Sequence, residues 1–245
     1  MMKQDFSQNG DYIIVDIGSH SCGEIKSFTN SKFFFFKLAK RIIKNLFKGK
    51  SIGINYLLKL VKNHFKAKAN FKKFTLILVE PNFLHFNQKP YLSCSMVLPA
   101  AIKNNNFIRT TKLFFANNDP KSAGNSIFSS KGNVNENNFR NVLTLNTREL
   151  FEILENTYLH SKSKVILRIN CEGLEDEIIY DFKKYFPKRL IGIMGSLKDV
   201  KSIKGQSYYS QLLNFIHKER IEFVPFSDDI DTWSKAHLFI CSIFD

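Results

Sequence analysis

A chain of 245 residues, 44% hydrophobic and 24% charged, is long enough to bury one sizeable core, and no Pro-rich, Gly-rich or repeated stretch marks a linker between two domains. Its four cysteines, Cys22, Cys94, Cys171 and Cys241, form no CxxC pair, which argues against a zinc site or a disulfide framework and for a reducing compartment. The formal net charge of +14 implies attraction to anions such as nucleic acid, an acidic membrane face or a nucleotide-linked sugar, although the chain's general richness in Lys, Asn, Ile and Phe accounts for the same charge without a ligand.

Met1 to Asp11 is polar and lacks the apolar centre of a signal peptide, and no apolar run reaches bilayer length, so a cytoplasmic protein is expected. Tyr12 to Ile17 then reads as a strand buried on both faces that runs into a glycine-bearing turn, Gly18-Ser19 to Gly23-Glu24. In an open parallel sheet, ligands sit beyond the carboxyl ends of the strands, so Gly18 and Gly23 lie where the backbone passes close to a cofactor. Phe33–Lys48 and Ile54–Phe65 carry apolar residues at helical spacing with lysines between them. Two basic amphipathic helices are predicted, and packing of their apolar faces on the sheet is preferred to membrane docking.

Phe74 to Val79 is a second buried strand, closed by Glu80-Pro81-Asn82. An acidic residue there is placed to accept hydrogen bonds from ribose hydroxyls. Gly18 to Glu80 spans 80 − 18 = 62 positions, against a usual separation of about 20. The two basic helices account for the excess as an insertion at about 29–70 within a single domain, 1–245. Phe83 to Phe86 opens a helix, and Tyr91 to Leu98 continues it or loops. Lys112 to Ala116 reads as a third strand, followed by the turn residues Asn117-Asn118-Asp119-Pro120. Ser122 to Asn138, rich in Ser, Asn and Gly, reads as a loop over the site.

Val142 to Leu145 is a short strand, after which Asn146 caps a helix from Thr147 to Asn156 with Glu149 in its first turn. Val165 to Asn170 is the strongest later strand; it delivers Cys171-Glu172-Gly173-Leu174-Glu175 to its carboxyl end, where a helix from Glu175 to Tyr185 begins. Leu190 to Met194 reads as a strand, Tyr208 to Lys218 as a helix, and Ile221–Pro225 with His237–Phe244 as two strands that pair antiparallel. The alternation predicts an α/β fold with a Rossmann-like, mostly parallel sheet and an antiparallel C-terminal edge.

The segments Asp16-Ile17-Gly18-Ser19 with Gly23-Glu24, Glu80-Pro81-Asn82, Gly124-Asn125-Ser126 and Leu167-Arg168-Ile169-Asn170-Cys171-Glu172-Gly173-Leu174-Glu175 occur in that order. In them the chain resembles the FkbM-like family of S-adenosylmethionine-dependent methyltransferases. The resemblance implies a class I methyltransferase sheet that binds S-adenosylmethionine. Asp16, Gly18, Ser19 and Gly23 would form the turn at its amino-acid end, Glu80 would meet the ribose, Asn118 and Asp119 would fall near the adenine, Asn170 would lie by the methyl group, and Asn82 would be a further cofactor-binding residue. It further implies O-methylation of a hydroxyl on a sugar or glycan precursor, as in polysaccharide modification.

The candidate catalytic residues are Glu172 and Glu175, placed by the strand-to-helix turn, and His20 as a proton shuttle. Each has a structural alternative: Glu175 favours a helix N-terminus, Glu172 holds a turn, and His20 is a loop residue. The chain departs from the family pattern with Asn170 where Asp is common, and an amide is no base. A noncatalytic scaffold of the same fold, its basic helices binding an anionic partner or membrane, is the alternative function. Nucleic-acid binding rests on charge alone. His64, His85, His160, His217 and His237 show no metal-ligand spacing, so no metal site is assigned.

Overall fold

In the computed structural model, which describes residues 11–104, 109–122, 124–226 and 230–243 (backbone only at 231 and 232), six strands form one parallel sheet. The stretch from Met1 to Gly10 lies outside the described residues. The first strand, β1 (Tyr12–Ile17), leads into three helices, α1 (Gly23–Thr29), α2 (Ser31–Phe47) and α3 (Ile54–Phe71), before β2 (Phe74–Val79). A single 3-10 turn (Phe83–His85) and α4 (Lys89–Ser93) precede β3 (Met96–Leu98). β4 (Ala101–Ile102), β5 (Thr110–Ala116) and β6 (Val134–Leu145) form a second, smaller sheet. The chain then alternates through α5 (Thr147–Thr157), β7 (Lys164–Ile169), α6 (Glu175–Tyr185), β8 (Leu190–Gly195), α7 (Lys198–Lys204), α8 (Gln206–Lys218), β9 (Glu222–Pro225) and α9 (Ile230–Ser242).

The large sheet has the order β3-β2-β1-β7-β8-β9, so its direction of growth reverses between β1 and β7. The carboxyl ends of β1, β2 and β7 therefore open a crevice at the reversal, the general ligand position of such sheets. Each central strand is buried on both sides, and alternate residues serve different layers. Ile13, Val15 and Ile17 join Val165, Leu167 and Ile169 in packing against α5, α6 and α8. Ile14, Leu76, Leu78 and Ile166 face the opposite way, onto α1, α3 and α9 through Phe28, Phe71, Phe239 and Ile240. Asp16 and Arg168 also point to that second face, directly across the β1–β7 register.

The parallel α/β sheet is the expected one, and antiparallel pairing is present between β5 and β6. Three local expectations are corrected. Ile221–Pro225 forms β9, but it pairs parallel to β8, and residues 237–242 of the supposed last strand belong to α9; Phe244 lies outside the described residues. The helix prevails because Ala236, Phe239, Ile240 and Ile243 recur at helical spacing and pack together in the layer against the sheet. Lys112–Ala116 is not the third parallel strand. It belongs to β5, which pairs antiparallel with β6 outside the main sheet, while Met96–Leu98 takes the position beside β2. The described part of Ser122–Asn138 is a loop only up to Gly132–Asn133, where β6 begins. At α5, Asn146 Oδ1 accepts from Glu149 N at 2.8 Å and Glu149 Oε2 accepts from Asn146 N at 3.0 Å, the reciprocal cap the sequence implied. Among the described residues, no helix is long and apolar enough to cross a membrane.

Candidate functional site

The turn after β1 is held by charge from β7. Arg168, itself buried, donates to the buried Asp16 Oδ1 at 2.8 Å, to the Gly18 carbonyl at 2.6 Å and to the half-buried Glu24 Oε2 at 2.8 Å. One guanidinium thus joins strand, turn and first helix, which suits its planar fork of donors. Burial raises the Asp16 carboxyl to about 6, with Arg168 opposing a further rise. Burial would also raise Glu24, but Arg168 and Lys37 overcome it and hold that carboxyl below its ordinary value. Gly18 has φ +72°, and a Cβ there would stand 2.1 Å from the Asn170 carbonyl oxygen. Only glycine fits where the two chain segments cross.

At the end of β2, both oxygens of Glu80 are fixed by backbone. Oε2 accepts from His20 N at 2.7 Å and Oε1 from Asn82 N at 2.8 Å. Burial pushes this carboxyl up to about 7, against the pull of those two N–H groups. Asn82, itself buried, donates to the Pro120 carbonyl, and His20 Nε2 lies 2.7 Å from the Lys121 carbonyl. A carbonyl only accepts, so Nε2 carries the proton in that contact. Burial lowers the His20 pKa, in keeping with a neutral ring. These contacts fasten Pro120 and Lys121 beside the crevice.

The turn after β7 is knotted by Glu175. Its Oε1 accepts from Cys171 N (2.9 Å) and Glu172 N (2.8 Å), and its Oε2 from Gly173 N (2.9 Å). Three N–H groups at the start of α6 are satisfied by one fully buried carboxylate. Glu172 adopts φ +62° and pairs with Lys131, while its Oε1 accepts from Asn170 Nδ2 at 3.1 Å. Burial raises Glu172 to about 7 even with Lys131 beside it.

Between these three turns lies an open cleft whose empty space, open solvent included, is about 560 Å³. Gly18, His20, Glu80, Asn82, Asn125 and Asn170 supply its polar points; Ile17, Val79, Ala101, Ile102, Leu113 and Ile127 supply apolar wall. Comparison with protein-family models, curated proteins and solved structures finds no match.

Five of the twelve predicted site residues, Gly18, His20, Glu80, Asn82 and Asn170, thus line one cleft. Asp16, Ser19 and Gly23 stand behind the turn: Ser19 Oγ donates to the Asp16 carbonyl at 2.7 Å, and the Gly23 carbonyl accepts from Lys37. Asn118 and Asp119 are exposed at the β5 tip and are not cleft residues. Asn118 Oδ1 accepts from Asn135 and Asn138, and Asp119 Oδ1 accepts from Lys121 N, so both shape the turn. The stretch beyond β3, Ala100 to Ile102, lines the cleft. The Glu175 carboxylate, expected as catalytic, holds three backbone N–H groups and is not among the residues lining the cleft, an arrangement that matches its structural alternative. Glu172 lies outside the cleft lining too, turned toward Lys131. Sequence reasoning gave no site role to Arg168 or Lys131. Arg168 had a signal, a lone charge inside an apolar strand that demands buried partners; Lys131, 41 positions from Glu172, had none.

Proposed function

We propose that the cleft binds S-adenosylmethionine and that the protein is an O-methyltransferase acting on a hydroxyl of a sugar or glycan precursor. The observation that carries the cofactor reading is Glu80. A buried carboxylate at the end of the strand next to β1 is held by two amides and lines the cleft beside the Gly18 turn, where an acceptor for a ribose diol is needed. The Ala101, Ile102 and Leu113 wall offers an apolar slot for a flat base, and Gly18 leaves the turn open for the amino-acid end. When bound, the cofactor supplies an activated methyl group, and the protein's part is alignment and proton removal. The acceptor class follows from the resemblance to FkbM-like methyltransferases, not from the cleft.

One observation favours the second reading, a cofactor-binding scaffold without turnover. Glu172 is occupied by Lys131, and its neighbour in the cleft is the amide Asn170, which is no base. In calorimetry with S-adenosylmethionine and its demethylated product, we expect saturable binding that Glu80→Ala weakens by about 1–3 kcal/mol, the cost of a site hydroxyl pair left without its acceptor. No heat with either ligand at millimolar concentration refutes the cofactor reading. Binding without transfer of labelled methyl to any sugar acceptor selects the scaffold.

A further inference from the structure

The chain's whole excess charge resides in one segment. Residues Ile25 to Val79 hold 14 of the 36 Lys and Arg and none of the 22 Asp and Glu, so the other 190 residues balance at 22 of each. This segment includes α2 and α3, and both helices present apolar side chains away from the core as well as toward it. On α2, Phe34, Leu38 and Asn45 are buried, whereas Phe35, Phe36, Ile43, Leu46 and Phe47 fall within about 120° of one another on the outer side. On α3, Leu60, His64, Ala67 and Phe71 pack inward, while Ile54, Leu58 and Phe65 follow one another along the outside. Phe36 is 68% exposed, Phe47 88%, Ile54 68% and Leu58 61%. Beneath them the buried His64 ring lies 6.4 Å from Phe35 of one stripe and 5.3 Å from Phe65 of the other. Exposed lysines border them: Lys32 and Lys40 on α2, Lys59 and Lys62 on α3.

We propose that the outer face of α2 and α3 docks on an anionic lipid bilayer, its aromatic and aliphatic stripe entering the acyl boundary and its lysines meeting the headgroups. Large exposed apolar residues in this number along two helices mark an interaction surface, and a helix with such a stripe edged by lysine suits the plane of a membrane interface. Charge decides among occupants. A second copy of the chain would bring two acid-free, strongly basic faces together with no carboxylate on either to pair them. A nucleic acid would satisfy the lysines and could stack on phenylalanines, but Ile43, Leu46, Ile54 and Leu58 would stay in water. An anionic bilayer meets both halves of the surface. This surface is independent of the cofactor reading.

Co-sedimentation with vesicles of phosphatidylglycerol and phosphatidylcholine, against pure phosphatidylcholine, tests it. Wild type is expected to partition onto the anionic vesicles at least about tenfold more strongly, with partition falling as salt rises. The triple substitution Phe36→Ser, Phe47→Ser and Leu58→Ser should reduce partition about 100-fold, and Lys40→Gln with Lys59→Gln and Lys62→Gln about as much, at roughly one headgroup attraction lost per lysine. All six positions are exposed, so melting curves should change little, and the lysine variant decides if the apolar one does not fold. The proposal is overturned if wild type ignores anionic vesicles or if the apolar variant binds them as well as wild type. It is equally overturned if wild type is a dimer that the apolar variant splits, or if nucleic acid binding is what that variant abolishes.

Discussion

Arg168→Met separates the clamp behind the first turn from the cleft in front of it. The substitution keeps an unbranched side chain in β7 while removing the donors to Asp16, the Gly18 carbonyl and Glu24. Asp16 is 0% exposed and Arg168 is its ion-pair partner. Breaking a buried pair from one side costs about 3–5 kcal/mol, because the remaining charge has neither water nor partner. Against a typical domain stability of about 5–15 kcal/mol that is a large share. It corresponds to a melting temperature lower by about 6–20 °C for a domain of this size. Urea unfolding followed by circular dichroism at pH 7.5, with a shared slope for variant and wild type, measures it. Adding Asp16→Asn to Arg168→Met removes the stranded charge, so the double variant should recover at least about 1 kcal/mol of the loss, a coupling typical of residues in one network. A single-variant cost below about 1 kcal/mol, or a double variant less stable than the single, would refute the reasoning.

Two more predictions concern the layer that holds the basic helices. A Cβ on Gly192 would lie 2.3 Å from Phe239 Cζ, so Gly192→Ala should cost about 1–3 kcal/mol by overpacking, and Phe239→Leu should return part of it; a neutral Gly192→Ala would contradict the seating of α9 on β8. Burial lowers His64 and His237 from 6.5 to about 4, so the unfolded chain takes up protons in a range where the folded one does not. Their contribution to stability is therefore complete above about pH 6.5 and is lost as pH falls toward 4. Asp16, Glu80 and Glu172 are raised to about 6, 7 and 7, so their contribution has the opposite sense: it is complete below their ordinary carboxyl range and is lost as pH rises through those values. Subtracting the pH profile of His64→Phe with His237→Phe from that of wild type isolates the histidines; a difference that does not change between pH 6.5 and 4 contradicts their neutral burial.

The parts of the fold that were legible are those in which local signal and tertiary demand agree. β1, β2 and β7 are apolar runs with turn residues after them, and each is buried on both faces. Asn146 and Glu149 announce the start of α5 by their own side-chain chemistry. Where the two disagree, reading failed for a physical reason. Met96–Leu98 is three residues long, too short to carry a period, yet it is the edge strand beside β2. The run from His237 to Phe244, rich in aromatic and β-branched residues, has strand propensity, but in the described residues helical burial under the sheet overrides it. Within the site, the glycine turn and Glu80 could be found because strand ends announce them. The Ala100–Ile102 wall of the cleft could not, because placing it depended on knowing which strand comes third. Glu175 shows the limit of assigning roles from position: a carboxylate opening a helix after a parallel strand suits either catalysis or three backbone N–H groups, and only the hydrogen bonds distinguish them.

The central claim, that Glu80 receives the ribose of an adenosyl ligand, is tested most directly by the pH dependence of S-adenosylhomocysteine binding to wild type and Glu80→Gln. Ribose hydroxyls donate, so the ligand prefers the ionised carboxylate. With the carboxyl raised to about 7 by burial, about a tenth of the free protein carries it ionised at pH 6 and about nine-tenths at pH 8. Affinity of wild type relative to Glu80→Gln should therefore rise about tenfold between pH 6 and pH 8, with proton release visible when buffers of different ionisation enthalpy are compared. A ratio that stays constant across that range, or binding in which Glu80→Gln matches wild type at pH 8, would contradict the account.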